Sequence, residues 1–394
     1  MKKSLISLAA GGFGIGMTEF VIMGILPEIA TSMDITIPEA GHFISAYAIG
    51  VVVGAPLLTA LGSKWPAHKM LIGLMVWFTV FNSLSGFANS YWSLMLFRFL
   101  SALPHGAFFG IGAVVASRLA RPGKEAQAIA AMFSGLTLAN IIGVPFGTYL
   151  GQEFHWSMAF FVVGIVGIIT ITSLRFWMPA LAQSSEQSMS EDFQILKKAE
   201  LWMVVLLTTI GTGGFFAWYS YIAPLITEVA GHDPGMVSYA MILAGCGMFA
   251  GNIAGAKLAE KMQPIYAVVL ALGVMTLLLL ANVYLAHDPV AVLVMTFIIG
   301  FGAFCVAAPI QMAMINTARG SEMLGSSLNQ SAFNMGNASG AYLAGLPIAM
   351  GYGFTSADVV GALMAFAGVF LALGIIQMRK ASRRKMAAAV EVVA

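Results

Sequence analysis

Apolar residues run through this chain in long blocks separated by short polar clusters, and the block lengths carry the first inference. Crossing a hydrocarbon core of about 30 Å takes roughly 20 helical residues. Blocks of that order can be placed twelve times, at 4–26, 41–62, 70–89, 92–117, 127–151, 157–178, 201–226, 235–258, 264–286, 289–316, 322–350 and 354–378. Each is predicted to be a helix, because an open strand or loop in lipid leaves backbone groups unpaired. The expected fold class is an all-α integral membrane protein of twelve spans. Lys2, Lys3 and the apolar run after them resemble a signal peptide, but no small-residue cleavage site followed by a soluble domain comes next. That run is read as the first span, retained.

The fourth block breaks the pattern by placing Arg98 inside a run otherwise fit for lipid. A buried arginine at bilayer depth is costly, so it faces a protein interior or a watery cavity and has a partner. His105 follows at i+7 and returns to within about 20° of the Arg98 direction. One face of this helix is therefore ionisable. The other carries Ala102, Gly106, Gly110 and Ala113, a small-residue stripe that lets two membrane helices approach closely. The block reads as a lining helix in a transport pathway.

The remaining charges order the spans. With Met1 inside, 18 of the 19 basic residues fall on the cytoplasmic side, and Arg98 is the exception. The outer loops carry Glu28, Asp34, Glu39, Glu153, Glu228, Asp233 and Asp288 but no Lys or Arg. Positive charge of this distribution predicts both termini in the cytoplasm. The longest polar stretch, 179–200, joins spans six and seven and divides the chain into an N-terminal half, 1–178, and a C-terminal half, 201–378, with a basic tail at 379–394. The halves repeat. Adding 197 takes Pro27 to Pro224, Gly50 to Gly247, Gly54 to Gly251, Lys64 to Lys261, Asn140 to Asn337 and Gly143 to Gly340. Two six-helix halves in parallel orientation are inferred, with a substrate site between them near the midplane. Arg98 maps to Met295 and Glu19 to Phe216, so the N-terminal half is expected to hold the ions and the C-terminal half apolar and neutral polar surface.

Composition agrees with the block pattern. The chain is 59% hydrophobic and 9% charged, against roughly 25% charged in soluble proteins, which excludes an ordinary soluble enzyme. Cys246 and Cys305 lie within apolar runs as small buried hydrophobes, suggesting neither disulfide nor metal. Nucleic-acid binding has no support. No Walker-type phosphate loop appears, so direct ATP drive is not expected, nor is a cofactor.

Three motifs then carry a resemblance. They are the acidic first span from Gly16 through Glu19 to Pro27, the fourth-span Arg98 with Pro104, His105 and Gly106, and the fifth-span run with Gly135, Asn140, Gly143, Pro145 and Gly147. Together they resemble the major facilitator superfamily, in particular its twelve-span drug:proton antiporter group and the sugar-efflux, arabinose-efflux-type branch. The third looks like the antiporter motif of exporters, implying a glycine-rich, proline-bent helix packed against span eight. One motif departs. Between spans two and three the family has an aspartate that helps latch the halves on the cytoplasmic side, and here Ser63 stands in its place.

The residues themselves suggest roles. Glu19 lies roughly 10 Å, and Arg98 roughly 9 Å, below the outer ends of their spans at 1.5 Å per residue. The two are level, so a proton-binding carboxylate and its charge partner are possible, the alternative being a fixed structural ion pair. His105, a little past the midplane, is a candidate proton relay or solute donor, or an interhelical hydrogen bonder. His42 at an outer helix end reads as interfacial. In span eleven Ser326, Gln330, Asn334 and Asn337 share about 80° of a helical wheel, and Gln330 and Asn334 are the candidates for lining a cavity. Trp218, Tyr219 and Tyr221 sit near the outer end of span seven, where aromatic belts gather; Trp218 and Tyr219 are the candidates for stacking on a solute ring. Gly135, Asn140, Gly143, Pro145 and Gly147 are packing and hinge positions.

The expectation is a monomeric proton-coupled efflux transporter, with lipid, protons and a small solute as its partners. The solute is a sugar or similar hydroxylated compound, or an amphipathic drug. Uptake or uniport of the same solutes is the alternative, and a membrane sensor or scaffold the minor one.

Overall fold

A computed structural model describes residues 2–62, 65–121, 125–180, 193–319 and 322–393. Ser63, and with it the altered latch motif, lies outside the described residues. So does 181–192 of the stretch joining spans six and seven. The described secondary structure is entirely helical.

Among the described residues, eleven helices are long and apolar enough to cross a membrane. The remaining long helix, Glu322–Ala349, has 28 residues and hence spans about 42 Å at 1.5 Å per residue. It is span eleven. Asn329, Asn334 and Asn337 are buried in it, because it packs between spans two and seven inside the bundle. Its polar side chains meet protein rather than lipid, so low hydropathy does not keep it from the bundle interior.

Spans one and seven share an interruption that a block reading smooths over. The first helix, Lys2–Gly24, stops at Ile25 and a second, Leu26–Met33, begins, with Pro27 in its first turn. Proline is tolerated there because that N–H has no intrahelical partner to lose. The turn ends at Asp34 in the left-handed region (φ 54°), a conformation that a short polar side chain tolerates. The predicted outer loop 27–40 is therefore helical as far as Met33. In span seven the helix Ala199–Tyr219 ends, Ile222–Pro224 resumes it, and a wide π turn Leu225–Val229 follows. Pro27 and Pro224, paired by the 197-residue repeat, mark the two interruptions.

Span five is also mixed. Helix Glu125–Leu138 passes through a π turn, Ala139–Gly143, into Val144–Glu153, with Pro145 in the first turn of that last helix. Proline removes a backbone donor and its ring crowds the preceding turn, and the π turn is where the ladder widens to admit it. The last helix runs from Ser356 to Val393, so the segment read as a tail continues span twelve. Near its basic end Arg379 Nε donates to Glu200 Oε1 of span seven at 2.8 Å.

Close packing repeats as well. A Cβ at Gly54 of span two would strike the Leu103 carbonyl of span four, and one at Gly251 of span eight would strike the Phe301 carbonyl of span ten. The paired glycines serve one purpose in the two halves: they let backbones touch.

Three large buried clusters show where the bundle closes. One draws only on the first six spans, with Leu8, Phe78, Phe108 and Met132. Another draws only on Ile195 and the last six, with Leu201, Leu272 and Met314. The third mixes the two, joining Phe20, Ile29 and Phe43 to Phe216, Trp218 and Tyr221 at the acid end. Ser45 Oγ donates to the Ala338 carbonyl across the same seam at 3.0 Å. The halves meet from the acid end inward and pack separately toward the basic end.

Candidate site between spans one, two, four and eleven

Arg98 is fully buried in span four. Its Nη1 donates to Thr18 Oγ1 of span one at 2.9 Å, and Thr18 in turn donates to Asn82 Oδ1 of span three. Asn82 is held by its Nδ2 bond to the Phe78 carbonyl at 2.8 Å. The guanidinium carbon sits 4.3 Å from the centre of the Tyr47 ring and 5.5 Å from that of Phe160. A desolvated cation over an aromatic face gains about 2 kcal/mol. Arg98 is therefore held by a hydroxyl chain and two rings.

Glu19 is 3% exposed. It stands within Coulombic range of Arg98 and beside Asn337 of span eleven. The depth match expected from the sequence holds, since the residue next to Glu19 accepts the arginine's hydrogen bond. A contact ion pair does not form: among the described residues the salt bridge is Arg379 to Glu200. Glu19 Oε1, Arg98 Nε and Arg98 Nη2 are buried without a hydrogen-bond partner, and so are both side-chain polar atoms of Asn337. A carboxyl and a guanidinium are thus near one another with unpartnered donors and acceptors, and the carboxyl faces the C-terminal half.

His105 and Arg98 share a face, as their spacing requires, and Tyr47 of span two joins them. Its ring lies under the guanidinium while its hydroxyl is 3.2 Å from His105 Nδ1. Tyr47, Thr18 and Asn82 were not singled out in the sequence. Tyr47 left one signal, a phenol in the middle of an apolar block. Thr18 and Asn82 left none, because hydroxyls and amides in membrane helices commonly bond their own preceding turn.

The span-seven aromatics are not an interfacial belt. Trp218 and Tyr219 are buried, because the chain breaks and reorients just after them. Phe20, adjacent to Glu19, stacks on Phe216 at 6.3 Å and meets Tyr219 edge-on at 5.9 Å. Trp218 Nε1 and the Tyr219 hydroxyl lack partners. Tyr221 donates to the Ala341 carbonyl at 3.0 Å and so serves packing between spans seven and eleven. In span eleven Asn334 is buried, its Nδ2 turned back to the Gln330 carbonyl at 3.0 Å and its Oδ1 unpartnered. Gln330 is partly exposed, and the side chain of Ser326 lies outside the described residues. Asn329 bonds Thr208 and Gln311 instead. His42 bonds the Tyr91 hydroxyl at 2.8 Å near the acid end.

The fifth-span helix packs on span eight as expected, through its π turn and the helix after it, while its glycines meet another neighbour. Gly135 faces the Ala9 carbonyl, Gly143 the Phe13 ring, and Gly147 Val21 and Met17, all in span one. Span eight meets the π turn itself, where Gly245 approaches the Asn140 carbonyl. The glycines thus seat span five on the helix that carries Glu19, and Asn140 Nδ2 returns to the Leu136 carbonyl at 3.1 Å.

Comparison with known proteins agrees with this architecture. Inner membrane transport protein YdhP of Escherichia coli strain K12 is 40% identical over 95% of this chain and 96% of its own. A chloramphenicol resistance protein of Streptomyces lividans is 28% identical over 87% of this chain and 88% of its own. The crystal structure of a bacterial homologue of the human lysosomal transporter Spinster, inward-facing and unoccupied, superposes with a TM-score of 0.68 at 13% identity, covering 94% of each chain. The Major Facilitator Superfamily model matches residues 8–341, and with twelve long helices, paired breaks and a buried charge site among them, the chain belongs to that family of membrane transporters.

Proposed function

We propose that this transporter exports a small solute in exchange for protons, with Glu19 as the proton carrier and Arg98 as its charge partner. The observation that carries the reading is the place of Glu19: on span one, near Arg98, and against Asn337 of the opposite half. A proton added to or removed from this carboxyl changes the charge at the seam between the halves. An equilibrium between two conformations responds only to such a difference between states. With Glu19 protonated, Arg98 loses its nearby counter-charge and the acid can donate to a neutral neighbour; with Glu19 ionised, attraction to Arg98 returns. His105, reached through Tyr47, extends the polar chain toward the basic end.

The direction of transport rests on relatives and charge. One relative is named for chloramphenicol resistance, a name that fits export of a compound. The basic end is assigned to the cytoplasm of an inner membrane, both termini with it, by the absence of Lys and Arg from the outer loops. With the basic end inside, the meeting of the halves at the acid end supports reading this as the cytoplasm-open member of an alternating pair. Between the halves, Phe20, Phe216, Trp218 and Tyr219 offer rings, while Trp218 Nε1, Tyr219 Oη and Asn334 Oδ1 offer unpartnered polar atoms. Gln330 lies on the same helix as Asn334. A ring-bearing solute with hydroxyl groups, a sugar or an amphipathic drug, matches that surface. In proteoliposomes an imposed pH gradient should drive solute movement against its gradient and solute should drive proton movement. Flux indifferent to the pH gradient would point to uniport.

A further inference from the structure

A second buried acid lies in the half expected to be free of ions. Asp358, in the first turn of span twelve, is fully buried, and its Oδ1 accepts a 2.8 Å hydrogen bond from Nδ2 of Asn282 in span nine. Asn282 is 1% exposed. The second oxygen of the acid, Asp358 Oδ2, and the oxygen of the amide, Asn282 Oδ1, are both buried with no donor. Around them lie Leu279, Ala286, Ala357 and Ala362 of the apolar cluster.

Among the described residues no charged group stands within Coulombic range of Asp358. Span twelve packs on spans seven, nine and eleven. Their titratable groups toward this end are Tyr219 and Tyr221, Tyr284, and Tyr342, with His287 and Asp288 in the exposed turn after span nine. Asp288 is committed to capping span ten through the Val290 and Ala291 amides. Among them only His287 can carry a positive charge, and it lies in the exposed turn, outside Coulombic range of Asp358. The start of a helix favours a carboxylate only weakly, whereas burying an ion without a counter-charge carries a much larger desolvation cost. The second effect wins.

A carboxylic acid and a primary amide solve this problem together. The amide N–H donates to one acid oxygen, and the acid O–H donates to the amide oxygen, so that the atoms unpartnered in the ionised pair become partners. We propose that Asp358 and Asn282 form a proton-binding pair in the C-terminal half, in which Asp358 Oδ2–H donates to Asn282 Oδ1 and closes a ring between spans nine and twelve. The ligand is a single proton, and the site is separate from Glu19 and independent of its role. Removing the proton opens the ring and leaves an uncompensated charge between the two helices.

Infrared spectroscopy of the purified full-length transporter labelled with 13C at its aspartate carboxyls tests the pair. Glu19 stays unlabelled, and the other aspartates, Asp34, Asp192, Asp233 and Asp288, fall outside the predicted spans. Near neutral pH the labelled wild type should show a protonated-carboxyl band shifted by the isotope. Asp358→Asn, whose amide donates where the acid did, should lose that band, and Glu19→Gln should keep it. If Asp358→Asn does not fold, the labelled wild type decides alone. Aspartate bands of the ionised form only would overturn the proposal. A shifted band that disappears when choline chloride is replaced by sodium chloride would overturn it in favour of a monovalent cation site.

Discussion

Arg98 is stabilised here less by an opposite charge than by what surrounds it: the Thr18 hydroxyl, the Tyr47 face and the Phe160 face. Tyr47→Phe separates these contributions, because it keeps the ring under the guanidinium and removes only the hydroxyl bonded to His105. The expected loss is about 0.5–1.5 kcal/mol, that of one hydrogen bond, seen as a small drop in thermal stability in detergent, with Tyr47→Ala much worse. Equal losses in the two variants would mean that the ring does not hold Arg98. Glu28, just past the first span, allows a pH test. Burial pushes its carboxyl above the usual range, opposed in part by bonds to its own backbone and to Gln152. A carboxyl that holds its proton longer when folded binds more protons in the native than in the unfolded state. Its contribution to stability is therefore full at low pH and is lost as pH rises through the raised value. Glu28→Gln should flatten that decline with rising pH, measured as melting temperature against pH; an unchanged slope would exclude Glu28 as a source.

At the scale of helices, packing rests on close backbone approach at matched positions. Gly54→Ala and Gly251→Ala each force a methyl against a carbonyl of the neighbouring span. Overpacking of this kind costs about 1–3 kcal/mol. Similar destabilisation in the two variants is expected from thermal melting, and tolerance of either would mean that its helix pair can separate freely. These positions, like Pro27 and Pro224, were legible from one chain, because a constant offset between glycines and prolines is visible without coordinates. The face shared by Arg98 and His105 was legible for the same reason: helical spacing is local. Tyr47, Asn82 and Asn337 became part of the site only through the rotation of spans two, three and eleven about their axes. Apolar blocks with little amphipathic contrast do not encode that rotation. Asp358 leaves no sequence signal for a different reason, as it falls within one turn of a predicted span end, where an acid is ordinarily solvated.

At the scale of the whole molecule, the seam joins the halves at the acid end through Phe20 with Phe216, Ser45 with Ala338, and the ring of His42 with that of Tyr342. Single cysteines in cells test how this end is oriented. An impermeant reagent should reach position 231 from outside and position 69 only after the membrane is breached; labelling of position 69 in intact cells would invert the topology. The central claim is that the proton carried by Glu19 is what couples the two sides, and it separates cleanly from solute binding. Glu19→Gln imitates the protonated carboxyl, so it should fold, bind solute and exchange solute across the membrane. It should fail to accumulate solute against a gradient. The most direct measurement is solute flux in proteoliposomes carrying Glu19→Gln, followed once with solute on both sides at equal pH and once with an imposed pH gradient. The account predicts exchange in the first condition and no pH-driven accumulation in the second. Accumulation at the wild-type rate by Glu19→Gln would contradict it and move the proton to another group, with His105 the next to be tested.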